Sequence, residues 1–269
     1  MIAHLINTDV GGRGILRVYL DYRRENFNFL HNSATMFLNN LERVLIVTGF
    51  PIPPVDIPET DGPPGALAIA LAVEKLGGRA EVLTYPEVRE ALSDFWDSFV
   101  ERPRLSSYSL IVAIETPGMS ADGRYYSMSG LELKRGAFDG VVVEAKKLGI
   151  PTIGIGDGGN EAGMGKVREL VIRYIPHGDK IASVVETDGL ITSAVSNWGA
   201  YGLVAEASMI ESENLLRDFD EAEIVRALAE AGIIDGVTKR AEVSVDGINM
   251  DVHSKVLSLL KTLISNTKR

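Results

Sequence analysis

From residue 43 onward, short β-rich runs alternate with helical patterns, and no other feature narrows the fold of this chain as far. RVLIVTG (43–49), AEVLT (80–84), SLIVAIE (109–115), PTIGIG (151–156) and KIASVVE (180–186) are apolar runs of strand length. Their near-continuous apolar character is that of strands buried on both faces. The segments between them are helical. PGALAIALAVEKLGG has Pro64 near its first turn and ends at Gly77 and Gly78, the usual way into and out of a helix. Met164, Val167, Leu170, Val171 and Tyr174 share one helical face before Pro176 stops the segment. Such alternation predicts an α/β fold of three layers, α/β/α, with a mostly parallel, doubly wound sheet. Later, helical stripes (Ile224, Ala227, Leu228, Ala231; then Val252, Val256, Leu259, Leu260, Leu263) flank DGVTKRAEVSVDG. A single domain over 1–269 is therefore expected, with an α/β core over 1–215 and a C-terminal helical cap over 216–269.

A parallel sheet places its ligands outside the carboxyl ends of its strands, so the strand-to-helix loops carry the functional candidates. PTIGIGDGGNEAGMGK has glycine at 154, 156, 158, 159, 163 and 165. It lacks both the dinucleotide fingerprint and the P-loop lysine spacing, and Asp157 and Glu161 would oppose a pyrophosphate. Two readings stand: a strand-to-helix turn, or a cradle in which the N–H groups of Gly158, Gly159 and Asn160, with Lys166, hold a substrate carboxylate. Carboxylates recur after the other strands, as Glu59 and Asp61 in ETDGPPGA, Glu115, and Glu186 and Asp188 in VETDG. If all the strands are parallel, these acids converge on one edge. Converging acids raise one another's pKa and supply acid/base pairs; they equally suit a divalent metal ion held by oxygen ligands such as Asp61, Glu115, Asp157 and Asp188. Both readings are open at this stage, as is the plainer one in which Asp61 caps the following helix. Asn197 in AVSNWGAYG can orient a polar substrate group, beside a Trp198 expected to pack. Arg124, next to Tyr125 and Tyr126, is a carboxylate clamp or a solvated loop residue. His177 reads as a turn histidine, and His4, His31 and His253 have no metal-binding spacing.

A formal net charge of −10 without a basic run argues against nucleic acid and anionic membrane as partners and leaves a small molecule. There is no cysteine, so thiolate chemistry is excluded and Asp, Glu, Lys, His, Ser or Tyr must carry any reaction. MIAHLINTDVGGRG has no leader pattern and ALAIALAV is too short to span a bilayer, so a cytoplasmic location is expected. A homo-oligomer stays open.

TGFPIPP, ETDGPPGA, ADGRYYSMSG, GIGDGGNEAGMGKV, SNWGAYG and AGIIDGVT with VSVDG, in this order and spacing, closely resemble the D-glutamate cyclase family, with a weaker echo in DVGGRGI. The likeness runs from about Thr48 to about His253. It implies a lyase, specifically a hydro-lyase, that interconverts D-glutamate and 5-oxo-D-proline plus water. Relative to the long members of that family, a stand-alone form without their hydro-lyase-like domain or mitochondrial leader is expected. Cyclisation needs a base for the amine and an acid or metal for the leaving oxygen. The acids nominated are Asp157 or Glu161 for the amine and Glu59 with Asp61 as complementary acid or metal ligand, with Glu115 and Asp188 as second choices. The alternatives are a phosphate- or nucleotide-binding α/β transferase and a non-catalytic acidic amino-acid binding protein.

Overall fold

A computed structural model describes residues 1–266; the last three residues of the expected domain, 267–269, lie outside the described residues. In chain order the strands are β1 (Val44–Thr48), β2 (Pro51–Ile52), β3 (Ile57–Pro58), β4 (Ala80–Leu83), β5 (Leu110–Ile114), β6 (Thr152–Gly156), β7 (Gly189–Thr192), β8 (Ser244–Val245) and β9 (Ile248–Asn249). Five of them form one parallel sheet in the order β4-β1-β5-β6-β7. The remaining strands make two short antiparallel pairs, β2 with β3 and β8 with β9.

Every residue of β1, β5, β6 and β7 is buried, which is why those runs lack apolar/polar alternation. Val44 and Ile46 face one layer, with the Pro63–Lys75 and Ser196–Glu211 helices, within a cluster of buried side chains that runs from Ile2 to Ile264. Leu45, Val47 and Ile111 face the other, against Ala145 of the Asp139–Lys147 helix. The layered α/β architecture is thus the expected one. Among the described residues no helix is long and apolar enough to cross a membrane.

The strand order reverses between β1 and β5: the chain adds β4 on one side of β1, then crosses back to add β5, β6 and β7 on the other. The loops that leave β1 and β5 therefore diverge and open a crevice at the carboxyl edge.

One expected strand is not there. KIASVVE is not a sheet strand; it starts within a short helix, Gly178–Ile181, and continues as irregular chain with isolated bridges. The fifth strand of the sheet is GLIT, Gly189–Thr192, pinned at its entry by Asp188, whose Oδ2 accepts from the Thr152 N–H (2.9 Å) and Oγ1–H (2.8 Å). VETDG precedes a strand instead of following one, so Glu186 and Asp188 sit at the amino end of the sheet, away from the acidic edge.

The C-terminal region is also more than helical. Between the Glu221–Glu230 and Met250–Asn266 helices lies an ordered loop ending in the β8–β9 hairpin. It docks on the core through Thr60, whose N–H donates to Ile234 O (2.9 Å) and whose hydroxyl donates to Ser244 O (2.8 Å).

Candidate active site

Glu59, Asp61, Glu115, Asp157 and Glu161 all converge at the carboxyl edge, and all are buried. Glu115 immediately follows β5 and holds a left-handed backbone (φ 40°). Its Oε2 accepts from Ser196 Oγ at 2.5 Å. Asp61 lies across the start of the Ser196–Glu211 helix, accepting from the N–H groups of Ser196 and Asn197, both at 2.8 Å. A carboxylate at that position also suits the positive end of the helix dipole. Asn197 is occupied in turn: its Oδ1 accepts from Gly62 N (3.0 Å) and Gly65 N (2.8 Å), capping the Pro63–Lys75 helix, so the expected substrate-orienting amide is spent on structure.

The glycine loop is occupied by its own chain. Glu161 Oε1 accepts from the N–H groups of Asp157 (3.1 Å) and Gly158 (2.6 Å), and its Oε2 from Gly159 (2.7 Å). The cradle expected to hold a substrate carboxylate therefore holds that of Glu161. The glycines serve close packing: a Cβ on Gly154 would lie 2.7 Å from Gly163 Cα, and Gly159 has φ +103°. Asn160 Nδ2 donates to Tyr126 O at 2.8 Å. Lys166 is exposed and bonds Asp188 O at 2.5 Å, on the far side from the acids. Arg124 pairs in solvent with Glu132 at 3.3 Å.

Three charged residues complete the cluster that the sequence reading did not nominate: Arg13, Lys239 and Asp246. Arg13 reaches in from a loop tied by Asp9, whose carboxylate accepts from the Arg13 and Gly14 N–H groups, both at 2.9 Å. Its guanidinium grips Asp157 with two hydrogen bonds, 3.0 and 3.2 Å, and lies 2.6 Å from Asp246 Oδ2 as an ion pair without hydrogen-bond alignment. Asp246 and Lys239 belong to the loop between the C-terminal helices. Fully buried Asp235 folds that loop, accepting from Val237 N, Thr238 N, Ser244 Oγ and Gly247 N at 2.6 to 2.9 Å. Among the described residues six non-glycines have positive φ; three of them, Glu115, Lys239 and Asp246, line the same cavity, as expected where function over-determines the backbone.

That cavity has a volume of about 210 Å³, roughly seven waters at their liquid volume. Glu59, Glu115, Asp246, Arg13 and Lys239 supply its charges; Ser127, Ser129 and Asn160 supply polar groups, and Phe50, Ile52, Met128 and Val237 an apolar wall. Among the described residues no hydrogen bond reaches the Glu59 carboxyl, although the residue is only 5% exposed. Burial, and then the negative charges of Asp246 and Asp61, push its pKa well up. Burial and Asp246 push Asp61 to about 8, against the opposing N–H bonds of Asn197 and Ser196. Burial, then the charges of Glu161 and Asp61, push the Glu115 pKa well up. Burial also raises Asp157, with the Arg13 charge opposing. Burial lowers the Lys239 ammonium. Burial thus pushes the carboxyl pKa values of Glu59, Asp61, Glu115 and Asp157 in one direction, upward.

Two triads, Asp61/Asp157/Asp246 and Glu115/Asp157/Glu161, bring carboxylate oxygens within 4.8 Å of one another, close enough to share a cation. The cation between Asp157 and Asp246 is the Arg13 guanidinium, and both oxygens of Glu161 and of Asp61 accept N–H bonds. Asp188 is outside both triads. A divalent ion would have to displace Arg13, so the donors present do not fit a resident metal, and no step is derived through one.

The family model for the C-terminal region of D-glutamate cyclase-like proteins matches residues 2–261. Human mitochondrial D-glutamate cyclase is 34% identical over a 216-residue alignment covering 66% of this chain and 35% of the human protein. The chain thus spans about a third of the length of that curated relative. The matched interval includes both Arg13 and Asp246, at opposite ends of the sequence, together with every acid of the carboxyl edge. By that match the chain belongs to the family of D-glutamate cyclase-like C-terminal domains.

Proposed function

We propose that this protein is a lyase that interconverts D-glutamate and 5-oxo-D-proline plus water. The observation that carries the reading is the Glu59 carboxyl, without a hydrogen bond among the described residues and with its pKa pushed well up by burial, facing a small cavity with two cations. In the ring-closing direction the amine nitrogen bonds the γ-carboxyl carbon and a γ-oxygen leaves. The ammonium nitrogen gives up two protons and the leaving oxygen, departing as water, takes two. The balance therefore needs shuttling carboxyl groups and no external acid, base or oxidant.

In this proposal Glu59, protonated when substrate enters, gives its proton to a γ-oxygen and then takes one from the amine. Glu115, another carboxyl lining the cavity, handles the other exchange. Arg13 and Lys239 attract the substrate's α-carboxylate, and Asn160, Ser127 and Ser129 fix its orientation. The apolar wall accepts the lactam. Asp61 and Asp157, expected from sequence to be catalytic, act behind this layer: Asp61 fixes the start of the Ser196–Glu211 helix and Asp157 holds Arg13. Holding the flexible substrate folded contributes on the order of 7 kcal/mol in favourable intramolecular cases. A phosphate-binding transferase loses its main support once Glu161 fills the glycine cradle.

The test is to incubate purified protein with D-glutamate, L-glutamate and each enantiomer of 5-oxoproline, with and without a chelator, and to follow both species by chromatography. Interconversion of the D pair that survives the chelator is expected. Binding without conversion would instead identify an acidic amino-acid binding protein.

A further inference from the structure

His253 is fully buried, and the chemistry above does not use it. It lies where the two halves of the site meet. Trp198 Nε1–H donates to its Nδ1 at 3.0 Å, and its Nε2 lies 3.3 Å from the carbonyl oxygen of Val245, the residue before Asp246. A ring that accepts from tryptophan at Nδ1 must carry its proton on Nε2, so Nε2–H donates to Val245. Trp198 itself follows Ser196 and Asn197, whose N–H groups hold Asp61. One imidazole therefore ties the helix turn that fixes Asp61 to the hairpin that delivers Asp246 to Arg13.

We infer that His253 is a positioning residue for this site: its Nε2–H holds the Val245 carbonyl and so fixes Asp246 against the Arg13 guanidinium. The inference rests on the cyclase reading for its kinetic consequences and on geometry alone for its structural ones. The groups around the ring are Trp198 on one helix and Glu221 on another, with Tyr201 beside Glu221 and the Asp61 charge beyond them. Glu221 Oε1 stands 3.2 Å from Nδ1, so a doubly protonated ring would trade Trp198 for Glu221 and keep Nε2–H on Val245. The clamp is the same in both charge states.

Glutamine places an amide N–H near the position of the imidazole Nε2, whereas asparagine reaches only that of Nδ1. His253→Gln is expected to keep kcat within a few-fold of wild type, and His253→Asn to lower it about tenfold or more. Hydrogen exchange at Gly247 and in the 9–14 loop should rise in His253→Asn and stay near wild type in His253→Gln. In an Asp246→Asn background His253→Asn should add little, whereas a purely structural role would make the losses additive. Wild-type exchange in a folded His253→Asn protein, or additive losses, would overturn the inference. If His253→Asn does not fold, ¹⁵N-histidine spectra of the wild-type protein decide: a ring protonated at Nδ1 alone overturns it, and a proton on Nε2 supports it. A wild-type protein without turnover would remove the cyclase reading and leave the exchange comparison standing.

Discussion

Two acidic loops leave the same edge of the same sheet and end at helices, yet they treat their carboxylates in opposite ways. The 156–166 loop closes on itself: Glu161 takes three backbone N–H groups, and its glycines let the chain turn around that carboxylate. The Glu59–Gly62 loop commits Asp61 to the neighbouring helix and leaves the Glu59 carboxyl facing the cavity without a hydrogen bond. The glycine-rich loop looked the more functional in sequence and is the more structural in space. What distinguishes the Glu59 carboxyl is that it faces the cavity while the other loop's Glu161 is spent on backbone N–H groups.

The largest effect expected from this contrast is kinetic. Glu59→Gln should lower kcat by on the order of 10³, within the range for general acid–base groups, with no loss of melting temperature; a steady-state assay beside a thermal melt checks both. Glu161→Ala should do the reverse. It strands three buried N–H groups, so chemical denaturation should show a loss on the order of 3 to 5 kcal/mol; undiminished stability would break the comparison.

A third test uses pH. Asp61 has its pKa raised from 3.8 to about 8 in the folded state, so the folded protein binds a proton that the unfolded chain releases over that interval. The Asp61 contribution to stability should be full below about pH 4, fall as pH rises and be lost above about pH 8. Glu59, Glu115 and Asp157 are shifted in the same direction and steepen the trend. Asp61→Asn should flatten it in melts run across pH. The smallest effects belong to exposed Lys166 and Arg124: alanine at either should change stability by less than about 0.5 kcal/mol and leave kcat/KM unchanged. A tenfold fall would return the glycine loop or the 121–130 loop to the substrate.

The parts legible in the sequence were those governed by periodicity. Buried parallel strands and amphipathic helices write their pattern locally, so β1, β4, β5 and β6 were found, and with them the acids that follow them. The error at 180–186 came from the same source: KIASVVE carries the apolar composition of a strand, but the Thr152 N–H and hydroxyl donate to Asp188 at the entry of the strand that starts at Gly189. Arg13, Lys239 and Asp246 were missed because they lie on irregular loops, where no period marks which side chain points inward. The family-like motifs DVGGRGI and VSVDG did contain Arg13 and Asp246. Only the fold shows that the two touch.

That contact also sets a timetable. Arg13 is synthesised long before Asp246, and the cavity is lined by both, so a growing chain can assemble its sheet before it can close that cavity. Until the distal hairpin arrives, the acids of the sheet edge face water, ionise freely and repel one another. The cavity is closed in a single late step, when the Arg13 loop and the distal hairpin meet over a sheet already built.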